Sequence, residues 1–386
     1  MSGNQLCVFG YGMRCLRGMS QQRYGEVSWS YELAGIDLRG EDEAFKRLLP
    51  HVRRTFSIRK GIGEPVIDVG HFASVVQVTD ELGIAICTDG VGTKLLVAQM
   101  MGKYDTVGID CVAMNVNDLL CVGAEPIAFV DYIAVERLNP SVVEEIAKGL
   151  CEGARMARVA VVGGEIAQLG EMIRGVDVGL GFDLAGTAIG IVNLSKIITG
   201  SNLEAGDVVI GLPSNGIHSN GLTLARRIFF EHLGWDAQHH CEELACTIGE
   251  ALLTPTKIYV EPVVGLLKSD VSVKALSHIT GGGWLNMLRT AAPACLRIDS
   301  LPEPHPIFKL IQRFGNVTDA EMYRTFNMGV GLSIIVSKSD AERALDVLSQ
   351  FGESPMLLGE VEEVGRRMLK LVPLKLVWAC GGFAEL

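Results

Sequence analysis

Residues 84–94 of this chain are Ile84-Ala85-Ile86-Cys87-Thr88-Asp89-Gly90-Val91-Gly92-Thr93-Lys94. The apolar run predicts a buried strand, which ends at the carboxylate of Asp89 inside a glycine turn. Gly90 and Gly92 permit positive φ angles and let a ligand approach the backbone closely, and Lys94 adds a positive charge. A strand end of this kind suits a magnesium–nucleotide complex. Asp-Gly is equally typical of an exposed hairpin turn.

The composition limits the classes of partner that the protein has. The 386 residues are 48% hydrophobic and carry a net charge of −11, with a pI near 5.3. This length predicts two to three domains. The negative charge argues against a nucleic-acid partner, because affinity for the phosphate backbone requires clustered lysine and arginine. An acidic protein binds small phosphorylated ligands through metal ions, glycine loops and helix N-termini.

The ten cysteines include no C-x-x-C pair, so neither a disulfide framework nor a zinc site is indicated. Their number is ordinary for a reduced, cytoplasmic protein. No apolar run is long enough to predict a membrane span. Residues 1–30 lack a sustained periodicity and hold three arginines before the first acid, Glu26. We interpret them as a poorly ordered N-terminal extension, either a transit peptide or an extended start.

A helix with one polar stripe is predicted from Ile109 to Cys121. Its apolar residues recur at helical spacing, and Asp110, Asn117 and Asp118 fall on the opposite stripe. Such a stripe is the usual solvated face of a surface helix. Here the helix lies between two apolar runs with strand character, so we expect the stripe at a strand edge. We therefore expect Asp118, rather than Asp110, as a metal ligand.

The pattern of strand, glycines and acid occurs again at residues 159–165, which end in Gly163-Gly164-Glu165. Asp89, Asp118 and Glu165 thus provide three hard-oxygen donors at the ends of separate elements. Such a set suits Mg²⁺, which shares its remaining ligand positions with phosphates and water. We place this first domain at residues 31–194.

A second domain, residues 195–375, begins with a strand, the polar loop Ser214 to Gly221 and a helix. A glycine-bearing loop before a helix N-terminus forms an anion cradle. His218 in this loop is suited to general-acid catalysis or phosphate binding, or it bonds locally without a catalytic role. The glycines of Thr280-Gly281-Gly282-Gly283 are costly in backbone entropy unless a ligand such as a phosphate comes close. Residues 376–386 are assigned as a tail.

Taken in order, these motifs resemble the phosphoribosylformylglycinamidine cyclo-ligases, the aminoimidazole ribonucleotide synthetases, from about Tyr31 to about Val372. Each motif is weak alone, whereas their order and spacing are specific. The motifs that carry the resemblance are Tyr31-x-x-Ala34-Gly35-Ile36-Asp37, Thr88 to Lys94, Asp105 to Asp110 with Asn117-Asp118, Gly123 to Pro126, Gly163 to Glu165, His218 to Gly221, Thr280 to Gly283 and Met322 to Asn327.

This resemblance implies a two-domain α/β (α+β) ATP-binding synthetase fold. The N-terminal mixed sheet would pair with its copy in a homodimer, and a C-terminal α/β domain would follow. The implied reaction is ATP-dependent closure of formylglycinamidine ribonucleotide to aminoimidazole ribonucleotide in purine biosynthesis. ATP would phosphorylate the formyl oxygen, an internal nitrogen would attack that carbon, and phosphate would leave. The implied cofactors are ATP and Mg²⁺.

The resemblance also implies roles for individual residues. The ATP-binding residues would be Asp89, Gly90, Gly92, Thr93, Lys94, Asn117, Gly164 and Glu165. The Mg²⁺ ligands would be Asp89, Asp118 and Glu165, and the catalytic residues His218, Asp118 and Lys94. The substrate would contact Ser219 and Asn220, with its phosphate at Thr280, Gly281, Gly282 and Gly283.

The chain departs from the family pattern at two places. The long glycine-rich loop that many members carry early in the chain is reduced here to Gly61-Ile62-Gly63 and Gly70-His71-Phe72-Ala73. The way in which the triphosphate is covered therefore differs. After Glu165, many members have Thr-Ala-Glu-Met-Pro-Gly, whereas this chain has Gln168 in place of the second acid. This change affects the expected number of metal ions.

Two alternatives stay open. The first is another enzyme of the superfamily: selenophosphate synthetase, thiamine-phosphate kinase, or the glutamine-dependent synthetase one step earlier in the pathway. Selenophosphate synthetase has a reactive cysteine followed closely by lysine near its N-terminus, and neither Cys7 nor Cys15 has that setting. The second is a nucleotide-binding paralogue without turnover. It would bind ATP without releasing ADP, whereas the ligase releases ADP when the amidine substrate is present.

Overall fold

The N-terminal unit is a five-stranded mixed sheet with helices on one face. Its elements are α1 (Leu38–Arg53), β1 (Ser74–Gln77), β2 (Leu82–Gly90), α2 (Lys94–Met101), α3 (Asp105–Leu120), β3 (Glu125–Val135), α4 (Pro140–Ala157), β4 (Ala160–Gln168) and β5 (Phe182–Asn193). The strand order is β1-β2-β5-β3-β4, with only β3 and β4 parallel. The computed structural model describes residues 27–386, so most of the predicted N-terminal extension lies outside the described residues.

The C-terminal unit is built on an eight-stranded sheet. Its elements are β6 (Val208–Pro213), α5 (Leu222–Arg226), β7 (His240–Cys241), β8 (Cys246–Thr247), α6 (Ile248–Leu253), α7 (Val260–Lys268), β9 (Val273–His278), β10 (Ala294–Ile298), α8 (Pro306–Gly315), α9 (Asp319–Thr325), β11 (Val330–Val336), α10 (Ala341–Gln350), β12 (Met356–Val364), β13 (Met368–Leu371), β14 (Leu376–Ala379) and β15 (Gly382–Glu385). The strand order is β15-β14-β13-β10-β12-β6-β11-β9, with β7 and β8 in a separate hairpin.

The prediction of a two-domain α/β fold is confirmed. Two segments that were predicted to be peripheral form defined contacts with the C-terminal unit. Trp29 N donates to Gly315 O at 2.9 Å, which ties the residues before α1 to the C-terminal unit. Residues 376–386, assigned as a tail, instead form the hairpin of β14 and β15 at the edge of the sheet. Within the described residues, every helix is too short or too polar to span a bilayer.

Close helix packing sets the position of α3 above the N-terminal sheet. Val107, Val112 and Val116 of α3 are fully buried. α3 crosses α4 where a Cβ on Gly149 would lie 1.8 Å from the carbonyl oxygen of Asp105, so only glycine fits there. This close crossing fixes which residues of α3 face the sheet and which face the C-terminal unit.

The other face of the N-terminal sheet is apolar and uncovered. Strand register places Ile86, Ile191 and Tyr132 on that face, and each is 37–40% exposed. An antiparallel sheet that faces water normally carries polar side chains on its outer face. This face, which we call the open face, therefore has the character of a surface that another protein covers.

A buried ion pair joins the two units. Lys94 Nζ lies 2.9 Å from Asp110 Oδ1, and both side chains are fully buried. The ammonium also donates to the carbonyl oxygens of Thr254 at 2.7 Å and His218 at 3.2 Å. Asp110 Oδ1 accepts hydrogen bonds from Thr256 N at 2.7 Å and Thr256 Oγ1 at 2.6 Å. We call this group of residues the domain junction.

Two further residues predicted for ligand binding belong to the same contact surface. Ser219 Oγ lies 3.2 Å from Asp110 Oδ1. Asn117 Nδ2 donates to Lys257 O at 2.8 Å, and Asn117 Oδ1 accepts from Tyr259 N at 3.0 Å. The polar stripe of α3 is therefore not solvated, because it forms hydrogen bonds with the C-terminal unit.

Replacing Lys94 by methionine tests the domain junction. It leaves a buried carboxylate without its cation, so we expect the free energy of unfolding to fall by about 3–5 kcal/mol in urea titrations. The matched control is Lys103→Met, which removes the exposed pair with Asp105 and should cost less than about 1 kcal/mol. Equal stability of the two variants would show that the junction does not depend on the Lys94 charge.

Candidate active site

Asp89 lies on the helix-covered face of the sheet, at the end of β2. It is paired with Gly186 of β5, which is paired in turn with Asp131 of β3. Side chains paired across neighbouring strands point to the same face, so both carboxylates point towards α3. Asn115 Nδ2 of α3 donates to the carbonyl oxygen of Asp89 at 3.2 Å, which ties the strand end to the helix.

Asp118 of α3 approaches the same end of β2. Its Oδ2 lies 3.7 Å from the Sγ of Cys87, two residues before Asp89 on the same face. Its Oδ1 lies 2.8 Å from His278 Nδ1, and the imidazole is fully buried. Asn117 Nδ2 lies 3.4 Å from His278 Nε2, an arrangement that leaves the Nδ1 proton for Asp118. His278 thus orients Asp118 from the other unit, as outer partners orient metal-binding carboxylates.

The electrostatics of Asp89 and Asp118 favour a bound cation. Burial, and to a lesser degree the Asp118 carboxylate, raise the pKa of Asp89 to about 6, against the hydrogen bond from Gly90 N. Two carboxylates held together away from water disfavour ionisation of one of them. A divalent cation with oxygen preference removes this penalty, so the pair fits Mg²⁺.

Glu165 does not join that pair within one chain. Gly164 is paired with Asp131, and Glu165 with Tyr132, so Glu165 points to the open face. Among residues 27–386, no three acidic, histidine or cysteine side chains are grouped as a metal site. Asp89 and Asp118 lie near the same end of β2, whereas Glu165 lies on the opposite face of the sheet, so the described residues do not form the predicted three-acid site. Gly164 lies beside the Asp131 carboxylate, because a Cβ there would lie 2.4 Å from Asp131 Oδ1.

Lys94 is placed in the domain junction rather than at the strand end. Its three hydrogen bonds use all three donors of the ammonium. The predicted contact with ATP phosphates would require Lys94 to leave Asp110. The glycine turn before Lys94 has the predicted positive φ angle. Gly92 has a φ of 73° in the segment that connects β2 to α2. Thr93 Oγ1 lies 3.0 Å from Thr223 Oγ1 across the two units.

His218 is inside the protein and is only 1% exposed. Its Nε2 lies 3.2 Å from Asn215 N and 3.4 Å from Lys257 N, so the imidazole accepts from two backbone donors. Burial, followed by nearby positive charges, lowers its pKa well below the usual value, so the ring is neutral at pH 7. These contacts favour the locally bonded alternative, in which His218 orders the loop, over general-acid catalysis.

The residues predicted for the substrate lie next to each other. A Cβ on Gly281 would lie 3.2 Å from Asn220 Oδ1, so the polar loop and the glycine turn are in contact. Asn220 Nδ2 is buried and has no hydrogen-bond partner among the described residues. An unpaired buried donor is costly, and a substrate oxygen would satisfy it.

Arg289 holds the shortened glycine loop against the C-terminal unit. Its guanidinium donates to the carbonyl oxygens of Gly70 at 3.1 Å and His71 at 2.9 Å, and lies 4.3 Å from the centre of the Phe72 ring. Burial, with a smaller effect of Arg289, lowers the pKa of His71 to about 4, so the ring is neutral. Because Ser74 is paired with Ile86 in an antiparallel ladder, the loop runs beside the end of β2 that carries Asp89.

Comparison with known families agrees with this architecture. The model of the N-terminal domain of AIR synthase related proteins matches residues 70–192, and the model of their C-terminal domain matches residues 204–371. These matches define the class of protein. The chain is 48% identical over 336 residues to the phosphoribosylformylglycinamidine cyclo-ligase of Methanothermobacter thermautotrophicus, covering 87% of this chain and 95% of the relative.

A second relative supports the same assignment. The phosphoribosylformylglycinamidine cyclo-ligase of Methanocaldococcus jannaschii is 46% identical over 333 residues, covering 86% of this chain and 92% of the relative. The chain therefore belongs to the AIR synthase related family and, within it, to the phosphoribosylformylglycinamidine cyclo-ligases. The resemblance found in the sequence is confirmed.

Solved structures share the fold at low sequence identity. Thiamine-monophosphate kinase from Stenotrophomonas maltophilia has a TM-score of 0.56 and 18% identity, covering 83% of this chain and 94% of its own. The hydrogenase maturation protein HypE of E. coli has a TM-score of 0.53 and 18% identity, covering 78% and 85%. These structures support the two-domain fold and nothing more specific.

Sequence reasoning assigned no role to His278 or Asp131. His278 stands two residues before Thr280 to Gly283, and a histidine beside a predicted glycine turn is a usable signal for a site residue. Asp131 ends an apolar run in the same way as Asp89. Neither residue has a local sequence partner, so their contacts with Asp118 and Gly164 were not predictable.

The pKa of Asp89 gives a stability prediction for the metal-free protein. Because the native state disfavours ionisation of Asp89, its ionisation lowers the free energy of unfolding. This loss of stability is absent below pH 3.8, grows as the pH rises and is complete above about pH 6. Asp89→Asn removes that cost. We expect the variant to be more stable than the parent at pH 7.5 with EDTA, by at most about 3 kcal/mol. The difference should shrink towards pH 4.

Asp68→Asn is the control for this measurement. Asp68 is exposed, and Arg53 lowers its pKa, so its loss should not stabilise the protein at pH 7.5. A stability gain for Asp89→Asn that persists unchanged at pH 4 would contradict the electrostatic explanation.

Proposed function

We propose that this protein catalyses ATP-dependent closure of formylglycinamidine ribonucleotide to aminoimidazole ribonucleotide, releasing ADP and phosphate. The observation that carries the proposal is the identity to cyclo-ligases across nearly the whole length of the relatives. The paired carboxylates Asp89 and Asp118, at the boundary between the two units, support an ATP-dependent reaction.

The chemistry is a phosphoryl transfer followed by ring closure. ATP phosphorylates the formyl oxygen of the substrate, which turns a poor leaving group into a good one. An internal nitrogen then attacks the same carbon, and phosphate departs with the former formyl oxygen. Phosphoryl transfer depends mainly on positioning and on neutralisation of charge, so the protein's contribution is to hold both substrates in line.

Asp89 and Asp118 would hold Mg²⁺, which neutralises phosphate charge when it is bound. His278 of the C-terminal unit holds the Asp118 carboxylate in place through a 2.8 Å hydrogen bond. Asn220 and the turn Thr280 to Gly283 would fix the ribonucleotide on the same side of the boundary. Ring closure benefits because the two reacting atoms are held near contact.

The activity test is ADP release that depends on the amidine substrate, measured alongside formation of aminoimidazole ribonucleotide. Equal yields of ADP and product are expected. ATP binding without ADP release would instead identify a nucleotide-binding protein without turnover. ADP release with thiamine phosphate, and none with the amidine, would identify a kinase of the superfamily.

Asp89→Asn should lower turnover at least about tenfold, because losing one metal ligand costs about 1.4 kcal/mol or more in the transition state. This loss is expected even though the metal-free variant gains stability at neutral pH. Asp346→Asn, at an exposed position on α10, is the matched control and should keep parental kcat. Parental turnover in Asp89→Asn would remove Asp89 from the metal site.

We further propose that two chains form a homodimer through the open face of the N-terminal sheet. Its β-branched and aromatic side chains are unsuited to contact with water, and Ile86, Ile191 and Tyr132 are each 37–40% exposed there. Pairing of two such sheets would bury these side chains. Glu165 lies on the same face, so the partner chain would also determine the surroundings of this predicted metal ligand.

Ile86→Lys tests the proposed dimer, because it places a charge in the middle of the open face. We expect the parent to have twice the chain mass of 41.6 kDa in light scattering, and the variant to be a monomer. Leu357→Lys, at a 52% exposed position in the C-terminal unit, should leave the dimer intact. A dimer that survives Ile86→Lys would place the interface elsewhere.

A further inference from the structure

The segment Gly70 to Ala73, which we call the clamped loop, passes beside the strand end that carries Asp89. The antiparallel ladder of β1 and β2 pairs Ser74 with Ile86 and ends there. The same register carried three residues further would set His71 opposite Asp89. Residues opposite each other in a sheet have their side chains on the same face. The clamped loop therefore lies at the rim of the proposed nucleotide site, on the face that α3 covers.

The clamped loop is held by the C-terminal unit rather than by its own backbone. Among the described residues, none of its N–H groups donates a hydrogen bond to a backbone acceptor. Arg289 supplies the polar contacts, because its guanidinium donates to the carbonyl oxygens of Gly70 and His71 and lies over the Phe72 ring. Phe72 is only 6% exposed, so the loop is packed inward beneath the guanidinium.

Arg289 reaches the clamped loop from a position tied to the carboxylate pair. It follows the short helix Gly283–Leu288, and its N–H donates to Asn286 O at 3.1 Å. Asn286 Nδ2 donates to His278 O at 3.2 Å, and His278 holds Asp118. The clamped loop is thus connected through Arg289 to the side chains that we propose as the nucleotide site.

A loop that is ordered in advance favours ligand binding. Ordering the backbone costs conformational entropy, and a segment that is already ordered avoids this cost when its ligand arrives. His71 Nδ1 is buried and has no hydrogen-bond partner among the described residues. A buried nitrogen without a partner is costly, and a polar atom of a ligand beside Asp89 would supply one.

We propose that Arg289 is a positioning residue for the nucleotide, because it holds the clamped loop closed with His71 beside the ATP phosphates. The assignment rests on the proposed function and extends it to residues that the resemblance does not assign. Arg289 acts through the loop. Its partners are neutral, so its charge also attracts phosphates, and direct binding of the phosphates by Arg289 is the competing explanation that the experiments exclude or support.

Chymotrypsin cleavage after Phe72 measures opening of the clamped loop in the nucleotide-free protein. We expect Arg289→Ala to be cleaved there at least about fivefold faster than the parent. Cleavage after Phe45, which is 50% exposed on α1, should be unchanged. Arg289→Lys should recover part of the protection, and Arg313→Ala, which removes a guanidinium from the Phe314 ring, should match the parent. Equal cleavage after Phe72 in Arg289→Ala and the parent would overturn the positioning role.

Calorimetry with a non-hydrolysable ATP analogue and Mg²⁺ measures the effect on the nucleotide without turnover. Arg289→Ala should weaken binding at least about fivefold. The loss should persist at high ionic strength, because salt screens a charge contact but not the ordering of a loop. His71→Ala should also weaken binding, without faster cleavage after Phe72. Parental affinity in either variant, or a loss in Arg289→Ala that disappears at high salt, would overturn the proposal.

Steady-state kinetics separate this proposal from the proposed function. In Arg289→Ala, the KM for ATP should rise at least about fivefold, with kcat and the KM for the amidine substrate within about twofold of the parent. A lower kcat with an unchanged KM for ATP would overturn the positioning role. A parent that forms no cyclised product would reject the proposed function, and weaker binding of the analogue by Arg289→Ala would then leave the role of Arg289 standing.

Discussion

The buried ion pair of Lys94 and Asp110 is the constraint on which the arrangement of the site depends. A buried pair adds little to stability on balance, because desolvation offsets the attraction. The pair instead orients the two units, because both charged groups also form hydrogen bonds with the C-terminal unit. Their partners there are Thr254, Thr256 and the His218 carbonyl. These bonds fix α3 against the C-terminal unit. Asp118 and His278, which come from different units, are thereby held in contact.

The carboxylate pair at this boundary costs stability in the absence of a ligand. Asp89 ionises with difficulty because it is largely buried and faces Asp118. Sites that bind cations commonly carry such uncompensated charge, and the ligand restores the balance. The same residues therefore have opposite effects on folding and on activity. Stability alone would favour replacing Asp89, whereas the proposed metal site requires it.

Local patterns predicted the elements well. The strand before Asp89 and the helix that carries Asp118 are present, because periodicity and glycine punctuation act over a few residues. Asp110 was not expected as a metal ligand, and its ion pair was not predictable because its partners Lys94 and Thr256 are distant in sequence. For His218 the sequence left a catalytic and a locally bonded role open, and only the folded chain shows that its loop is buried.

The position of Glu165 shows that a one-residue difference along a strand determines whether a side chain can join a site. Its neighbour Gly164 points towards Asp131 and the helices, whereas Glu165 points to the open face. A shift between Phe129 and Val130 helps to set this phase. Alternation within a strand gives the two faces but not which face is covered. The resemblance to a family indicated the cyclo-ligase activity. The strand pairing in the structure then showed where Gly164 and Glu165 lie.

We infer that the domain junction holds Asp89 and Asp118 together as ligands of one divalent cation. The most direct test is a crystal structure with a non-hydrolysable ATP analogue and Mn²⁺, in which anomalous scattering locates the metal. We expect an ion within bonding distance of both carboxylates. Bound nucleotide with its ion placed away from Asp89 and Asp118 would contradict it.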